Sequence, residues 1–245
     1  MKKTFNYAIV STFATDIIYF LDKRIVEKHP GGSGYWIRRV FDKNNINYTI
    51  FSGEYEASIE AKITEGQPLP GKIKNLSPII IREKASFDGT VICTMKDEFN
   101  ILDVGKISGV IALDVAGFTR KGKWGEKKGK VELPPSRIRK KITILKANHE
   151  ELPFIPKEWI DEQKQKRILL HTLGGNGVDM WTRGKQYHFK APDLQPKNVL
   201  GAGDTFIASF LVAYLENKND SIKACNLATE EVNNLFLEKI RSEQL

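Results

Sequence analysis

Apolar positions along this chain fall into short runs, separated by stretches where they recur at helical spacing. Phe5–Val10, Tyr48–Phe51, Val110–Leu113, Ile142–Leu145 and Ile168–Leu173 predict strands. Tyr35–Lys43, Ala57–Thr64 and Pro156–Lys164 are the helical candidates between them. Such alternation predicts a largely parallel sheet covered by helices.

Two stretches depart from it. Ile17–Lys28 reads as extended chain, and Ile79–Met95 reads as two strands about a turn at Asp88-Gly89, a good hairpin signal. Together they predict a small sheet standing off the main one as a lid. Residues 177–191 predict another hairpin, turning at Arg183-Gly184. Phe206, Ile207, Phe210, Leu211, Tyr214 and Leu215 give one apolar helix face, and Ser221–Ile240 predicts two more helices. No internal repeat or low-complexity linker divides the chain, so residues 1–245 are expected to form one domain.

Composition adds few constraints. Hydrophobic residues at 41% and charged residues at 28% are ordinary for a globular protein. No apolar run approaches the ~18 residues that a membrane span needs. The opening MKKTFNYAIVSTFATD suits a strand better than a signal peptide, because Asn6, Ser11, Thr12 and Asp16 interrupt it. Cys93 and Cys225 form no CxxC pair, which argues against a disulfide framework or a zinc site. A cytoplasmic protein without a membrane partner is the expectation.

Charge is more informative. The net charge is +8, yet residues 120–146 alone carry +9, from eleven basic and two acidic residues. Aromatic interleaving there is limited to Trp124, so an exposed loop that steers anionic ligands is favoured over a nucleic-acid surface.

Polar and glycine-rich chemistry clusters where predicted strands end. Asp16 follows the first strand, Asp114 ends GVIALD, and Asn148 and Glu151 follow ITILKA. Thr172, Gly174, Gly175 and Gly177 close the stretch ILLHTLGGNG. Ligand sites of parallel α/β sheets form beyond those carboxyl ends. In NVLGAGDTF, Gly201 and Gly203 permit a tight turn before the apolar helix, with Asp204 and Thr205 in its first turn. Either this is a capped core helix, or its free N–H groups and dipole face a phosphate. Neither GxxxxGK[ST] nor a helix-opening GxGxxG is present, and no GxSxG occurs. His29, His149, His171 and His188 lack metal-ligand spacing, and His149 and His171 are read as packing or hydrogen-bonding residues.

These motifs, in this order, resemble the ribokinase-like sugar kinases, the PfkB family. GAGDTF at 201–206 is similar to their C-terminal signature, and HPGGSGYWIRRVF at 29–41 to their Gly-Gly motif. NHEE at 148–151 resembles their N-x-x-E, and TLGGNG at 172–177 their nucleotide loop. LDVAGFTR at 113–120 resembles the D-V-Q-G-F-x-R stretch of an archaeal and plant branch that includes inositol kinases, with Ala116 in place of Gln. The aromatic pair Tyr35-Trp36 also resembles that branch.

The resemblance implies a three-layer α/β/α fold with a mostly parallel sheet and a small β lid. It implies a kinase transferring the γ-phosphoryl group of ATP, with Mg²⁺, to a hydroxyl of a sugar, inositol-like polyol or nucleoside. A catalytically silent relative is the alternative. Asp204 would be the base, and the N–H groups of Gly201, Ala202 and Gly203 the anion hole. Asn148 and Glu151 would organise Mg²⁺, while Thr172, Gly174, Gly175, Gly177 and Asn148 would line the nucleotide. Asp16, Gly32, Asp114 and Arg120 would hold the small polyhydroxylated substrate, and the lid would serve a homodimer.

Overall fold

A computed structural model describes residues 5–20, 25–64, 67–123, 125, 127–191, 193–194, 196 and 198–243. The chain begins with β1 (Asn6–Ser11), β2 (Ala14–Phe20), β3 (Ile25–Gly31), α1 (Gly32–Lys43) and β4 (Asn47–Phe51). There follow β5 (Ala57–Thr64), β6 (Gln67–Lys74), β7 (Ala85–Cys93), β8 (Ile107–Asp114) and the single turn α2 (Ala116–Thr119). The two-residue β9 (Arg120–Lys121) and β10 (Lys127–Lys128) pair, and α3 (Ser136–Arg139), β11 (Ile142–Asn148), α4 (Lys157–Lys166) and β12 (Ile168–Thr172) come next. The hairpin β13 (Val178–Thr182) and β14 (Lys185–Phe189), then α5 (Ala202–Glu216) and α6 (Ser221–Glu243), complete it.

Eight strands form the main sheet in the order β14-β13-β12-β11-β8-β7-β1-β4. The six from β4 to β12 run parallel, and the β13–β14 hairpin adds two antiparallel strands at one edge. Because side chains alternate across a strand, each central strand feeds two cores. Ile9, Val91, Ala112, Ile144 and Leu170 pack with Phe206, Phe210 and Leu211 of α5 on one face. Val10, Ile92, Leu113, Leu145 and Leu169 pack with Ile138 and Trp159 of α3 and α4 on the other. The three-layer α/β/α expectation therefore holds.

A second sheet, ordered β3-β2-β5-β6, stands apart from the first. Its composition corrects two expectations. Ala57–Thr64 is the strand β5, not a helix, and its sequence ASIEAKIT alternates apolar with polar at the strand period of two. Ile79–Met95 makes no lid hairpin: β7 is a single central strand held between β1 and β8. Asp88-Gly89 is an irregularity within it, where the register against β8 shifts between Ser86 and Gly89. The Asp88 carboxylate accepts from the Asn6 N–H at 2.9 Å, and a Cβ at Gly89 would lie 2.7 Å from Leu215. That glycine serves close packing under α5 rather than a turn. Of the expected lid segments, 17–28 does lie in the small sheet, with residues 21–24 outside the described ones.

The hairpin about Arg183-Gly184 forms as expected, with φ of 49° and 77° at those residues. Ser221–Ile240 makes one helix instead of two, α6 running unbroken to Glu243. The basic stretch 120–146 is also no single exposed loop. Arg139 is buried against Glu158 and Glu162 at 2.6 and 2.8 Å, and β11 carries Lys146 into the centre of the sheet. Among the described residues, no helix is long and apolar enough to cross a membrane.

Candidate active site

The carboxyl ends of adjacent parallel strands bring the polar residues together. Cys93 of β7 is registered with Asp114 of β8, and Asp114 with Lys146 of β11. Three side chains thus stand in a row on the face covered by α5. Above them the chain turns at Gly201, whose φ of 82° is left-handed, and enters α5. A Cβ at Gly201 would lie 2.1 Å from the Trp36 ring, so the indole lies directly against the turn. Trp36 is held there by the edge of Tyr35 at 5.1 Å and the Lys239 ammonium at 4.8 Å, and Lys239 also donates to the Leu200 carbonyl. The first turn of α5 contains Ala202, Gly203 and Asp204, with no side chain capping its N–H groups. The Ala202 N–H donates to the Val199 carbonyl at 3.2 Å, and the helix start with its dipole favours an anion at this place.

Asp204 is half-buried. Burial, with Asp114 beside it, raises its carboxyl to about 6, against the opposing pull of Lys146, the Ser33 hydroxyl and the charge of Arg120. Ser33 belongs to α1 and follows Gly31-Gly32. Its hydroxyl donates to Met95 Sδ at 3.5 Å and lies close enough to Asp204 to lower its carboxyl, which puts the Gly-Gly turn beside the start of α5. Across that turn, Asp16 on β2 accepts from the Gly32 N–H at 3.2 Å. A Cβ on Gly31 would overlap the Asp16 carboxylate, and Gly32 adopts φ 74° against the Thr12 carbonyl. Burial raises Asp16 to about 6 as well, the Gly32 N–H, His29 and Lys239 opposing it.

Asp114 departs from the substrate role expected of it. It is 4% exposed, and its two oxygens are taken up by the Ala116 N–H at 2.9 Å and Lys146 Nζ at 2.5 Å. Lys146 is the site residue that the motifs did not reveal. Burial alone would lower its pKa, but Asp114 and Glu151 outweigh burial and hold it above the usual lysine value. Arg120, expected to hold substrate, lies near enough for its charge to reach Asp204, and it donates to the Met95 carbonyl at 3.0 Å.

Asn148 shapes a turn. Its Oδ1 accepts from the N–H groups of Glu150 and Glu151, and its amide donates to Glu151 at 3.1 Å. Glu151 is 3% exposed, accepts from the Asn148 N–H, and has Lys128 of β10 at 3.5 Å. Carboxylate oxygen suits Mg²⁺, and Lys128 approaches on a flexible stem that a dication could displace. The row beneath α5 does not suit it. Cys93, Asp114 and Asp204 offer ligand atoms within 4.8 Å of one another, but one is a thiol and Lys146 already pairs with Asp114.

In the stretch expected to line a nucleotide, Thr172 ends β12 and Gly174 and Gly175 lie in open space, where an added Cβ would touch nothing within 4 Å. Gly177, at φ 94°, is required instead by the Phe189 carbonyl, 2.0 Å from where a Cβ would stand. His171 stacks on Trp181, and burial lowers its pKa. It packs, as expected.

Comparison with known proteins bears on the fold. Residues 124–230 match the pfkB family carbohydrate kinases. No curated protein matches the sequence. Among solved structures, a pyrophosphate-dependent kinase in the ribokinase family, complexed with a pyrophosphate analogue and myo-inositol, is similar over 91% of this chain and 92% of its own. Its TM-score is 0.69 at 17% identity. Arabidopsis thaliana ribokinase, complexed with ribose and ATP, gives 0.68 at 17% identity over 93% of this chain and 91% of that one. Ribokinase from Thermotoga maritima gives 0.62 at 14% identity over 96% and 99%. The fold is ribokinase-like.

Proposed function

We propose that this protein transfers the terminal phosphoryl group of ATP to a hydroxyl of a small polyhydroxylated acceptor: a sugar, an inositol-like polyol or a nucleoside. One observation carries the reading. Asp204, with its carboxyl raised to about 6, lies in the first turn of α5, which no side chain caps, and Ser33 beside it follows the Gly-Gly turn that holds Asp16. A base, an anion site and a hydroxyl-binding carboxylate thereby meet beside that turn.

Each group has a part. Asp16 accepts a hydrogen bond from an acceptor hydroxyl and orients it. Asp204 takes the proton of the attacking hydroxyl. The N–H groups of Gly201, Ala202 and Gly203 receive the negative oxygens of the transferring group. Phosphoryl transfer needs this positioning and charge stabilisation more than covalent help from the protein. Mg²⁺, when bound, neutralises donor phosphate charge, and Glu151 would hold it through water, with Asn148 fixing the Glu151 carboxylate. Thr172, Gly174 and Gly175 leave room for the nucleotide. The sheet β3-β2-β5-β6 covers the acceptor, and keeping water out matters because water competes as acceptor.

A second reading concerns the donor. Pyrophosphate is a donor named for a similar structure, and Lys128 beside Glu151 would favour a compact polyanion here. Assays of sugars, inositols and nucleosides with ATP or pyrophosphate, with and without Mg²⁺, test both. Turnover of any acceptor supports the kinase reading. Binding of donor or acceptor without turnover across the panel would favour the silent relative.

A further inference from the structure

Lys146 is a buried cation to which the proposed reaction gives no part. Its ammonium is clamped on Asp114 at 2.5 Å and would stand 3.1 Å from a Cβ placed on Gly203. It therefore lies directly under the first turn of α5. Around it, β7 contributes Cys93, β8 Asp114 and α5 Asp204, all with ligand atoms within 4.8 Å of one another. Burial first, then Asp114 and Asp204, push the Cys93 thiol well up, so it stays neutral. The Ser33 hydroxyl, which donates to Met95 Sδ, lies near Asp204, the charge of Arg120 reaches Asp204, and that of Glu151 reaches Lys146. Two carboxylates and one ammonium leave this pocket with one net negative charge.

We infer that Lys146 is a positioning residue for the base: clamped on Asp114, its ammonium lets Asp204 stay ionised beside a second buried carboxylate. Without it, two adjacent carboxylates in a low-dielectric pocket would have to share a proton, and they would titrate as a unit. The base would be held partly protonated where it should be free. Removing Asp114 along with Lys146 restores the count, because Asp204 then has neither the second carboxylate nor its ammonium beside it.

Carboxyl-¹³C aspartate NMR on the full chain reads this without any substrate, the Asp204 signal being the one absent from Asp204→Asn. In Lys146→Met the Asp204 signal is expected to gain a titration step more than about one pH unit above the wild-type midpoint. In Asp114→Asn/Lys146→Met that step should vanish, leaving a single midpoint within about one unit of wild type. A single unshifted step in Lys146→Met overturns the inference, and so does an upper step that persists in the double variant. Lys146→Met leaves Asp114 as an unpaired buried charge and is at risk of not folding. In that event the double variant, neutral at both positions, decides alone: a midpoint displaced upward by more than about one unit overturns the inference.

Turnover gives a second readout that rests on the kinase reading. With the best acceptor of the panel, Lys146→Met should lose at least about tenfold in kcat at pH 7 with KM little changed, and the double variant should recover most of it. Near wild-type turnover in Asp204→Asn would reject the base while leaving the titration result standing.

Discussion

Asp16 and Asp204 are two carboxyls beside the Gly32-Ser33 start of α1, both raised to about 6 by burial, and they are built differently. Asp16 faces backbone: the Gly32 N–H donates to it, and Gly31 lies so close that no side chain would fit. Asp204 faces side chains, with Asp114 and Lys146 beneath it and Ser33 and Arg120 around it. Burial raises both; at Asp16 a backbone N–H is the first group to oppose it, ahead of His29 and Lys239, whereas at Asp204 Asp114 adds to the rise and Lys146 is the first to oppose it. A backbone cradle suits a group that must hold a ligand in place. A charge balance suits a group that must change protonation state.

The largest test of that difference is Asp204→Asn. Asp204 caps no N–H of α5, and Asn matches it in size, so the fold should be kept. A general base is worth ~10²–10⁴-fold in rate, so kcat should fall by at least about a hundredfold while ATP still binds. Wild-type turnover would remove Asp204 from the chemistry. Gly201→Ala comes next. The left-handed φ and the Trp36 ring both exclude a Cβ, so the N–H groups of the turn must move. Loss of an oxyanion-type donor costs about 10²-fold, and a decrease of at least about tenfold is expected, together with a lower melting temperature.

Asp16→Asn should act on binding. It keeps the shape and one acceptor oxygen but loses the charge, so KM for the acceptor should rise by about tenfold, the weight of one charged hydrogen bond, with kcat changed less. A reversed pattern, kcat falling with KM unmoved, would make Asp16 rather than Asp204 the reacting carboxyl. Smaller again is Glu151→Gln, which should raise the Mg²⁺ concentration needed for half-maximal activity several-fold. An unchanged Mg²⁺ titration would remove Glu151 from the site.

What the sequence disclosed follows the same division. Backbone-built features are local and left local marks: Gly31-Gly32 and Gly201 announced their turns, and the strand ends located Asp16, Asn148, Glu151 and Thr172. The six parallel strands were legible as apolar runs except β7, where Asp88-Gly89 imitates a hairpin turn. That glycine answers to Leu215, more than a hundred residues away, a packing demand with no local signature. β5 was misread although its alternation was present, because Ala and Ile at short spacing fit a helix face as well. Lys146 was invisible as a site residue for the same reason as Gly89. It counted as one more charge in a basic stretch until the register of β8 with β11 set it beside Asp114.

The smallest expected effect separates stability from activity. Both carboxyls have folded pKa values of about 6, above the ~3.9 of an unfolded aspartate. A raised carboxyl binds its proton more tightly in the folded state, so the stability it contributes is fully present below about pH 4 and is lost as pH rises through 6. At pH 7 each is therefore a cost to folding, of order 1–3 kcal/mol for Asp16 and less for the more exposed Asp204. Replacing Asp16 with Asn removes that cost, and its melting temperature at pH 7 should exceed wild type by a few degrees, the gain shrinking to nothing near pH 4. Catalysis has the opposite dependence, since Asp204 serves as base only when ionised. Turnover should rise through an apparent pKa near 6 and level off above about pH 7. The protein would then be most active where these two carboxyls stabilise it least. A melting temperature for Asp16→Asn that tracked wild type from pH 4 to 8 would show that Gly32, His29 and Lys239 already offset the burial of Asp16 in full.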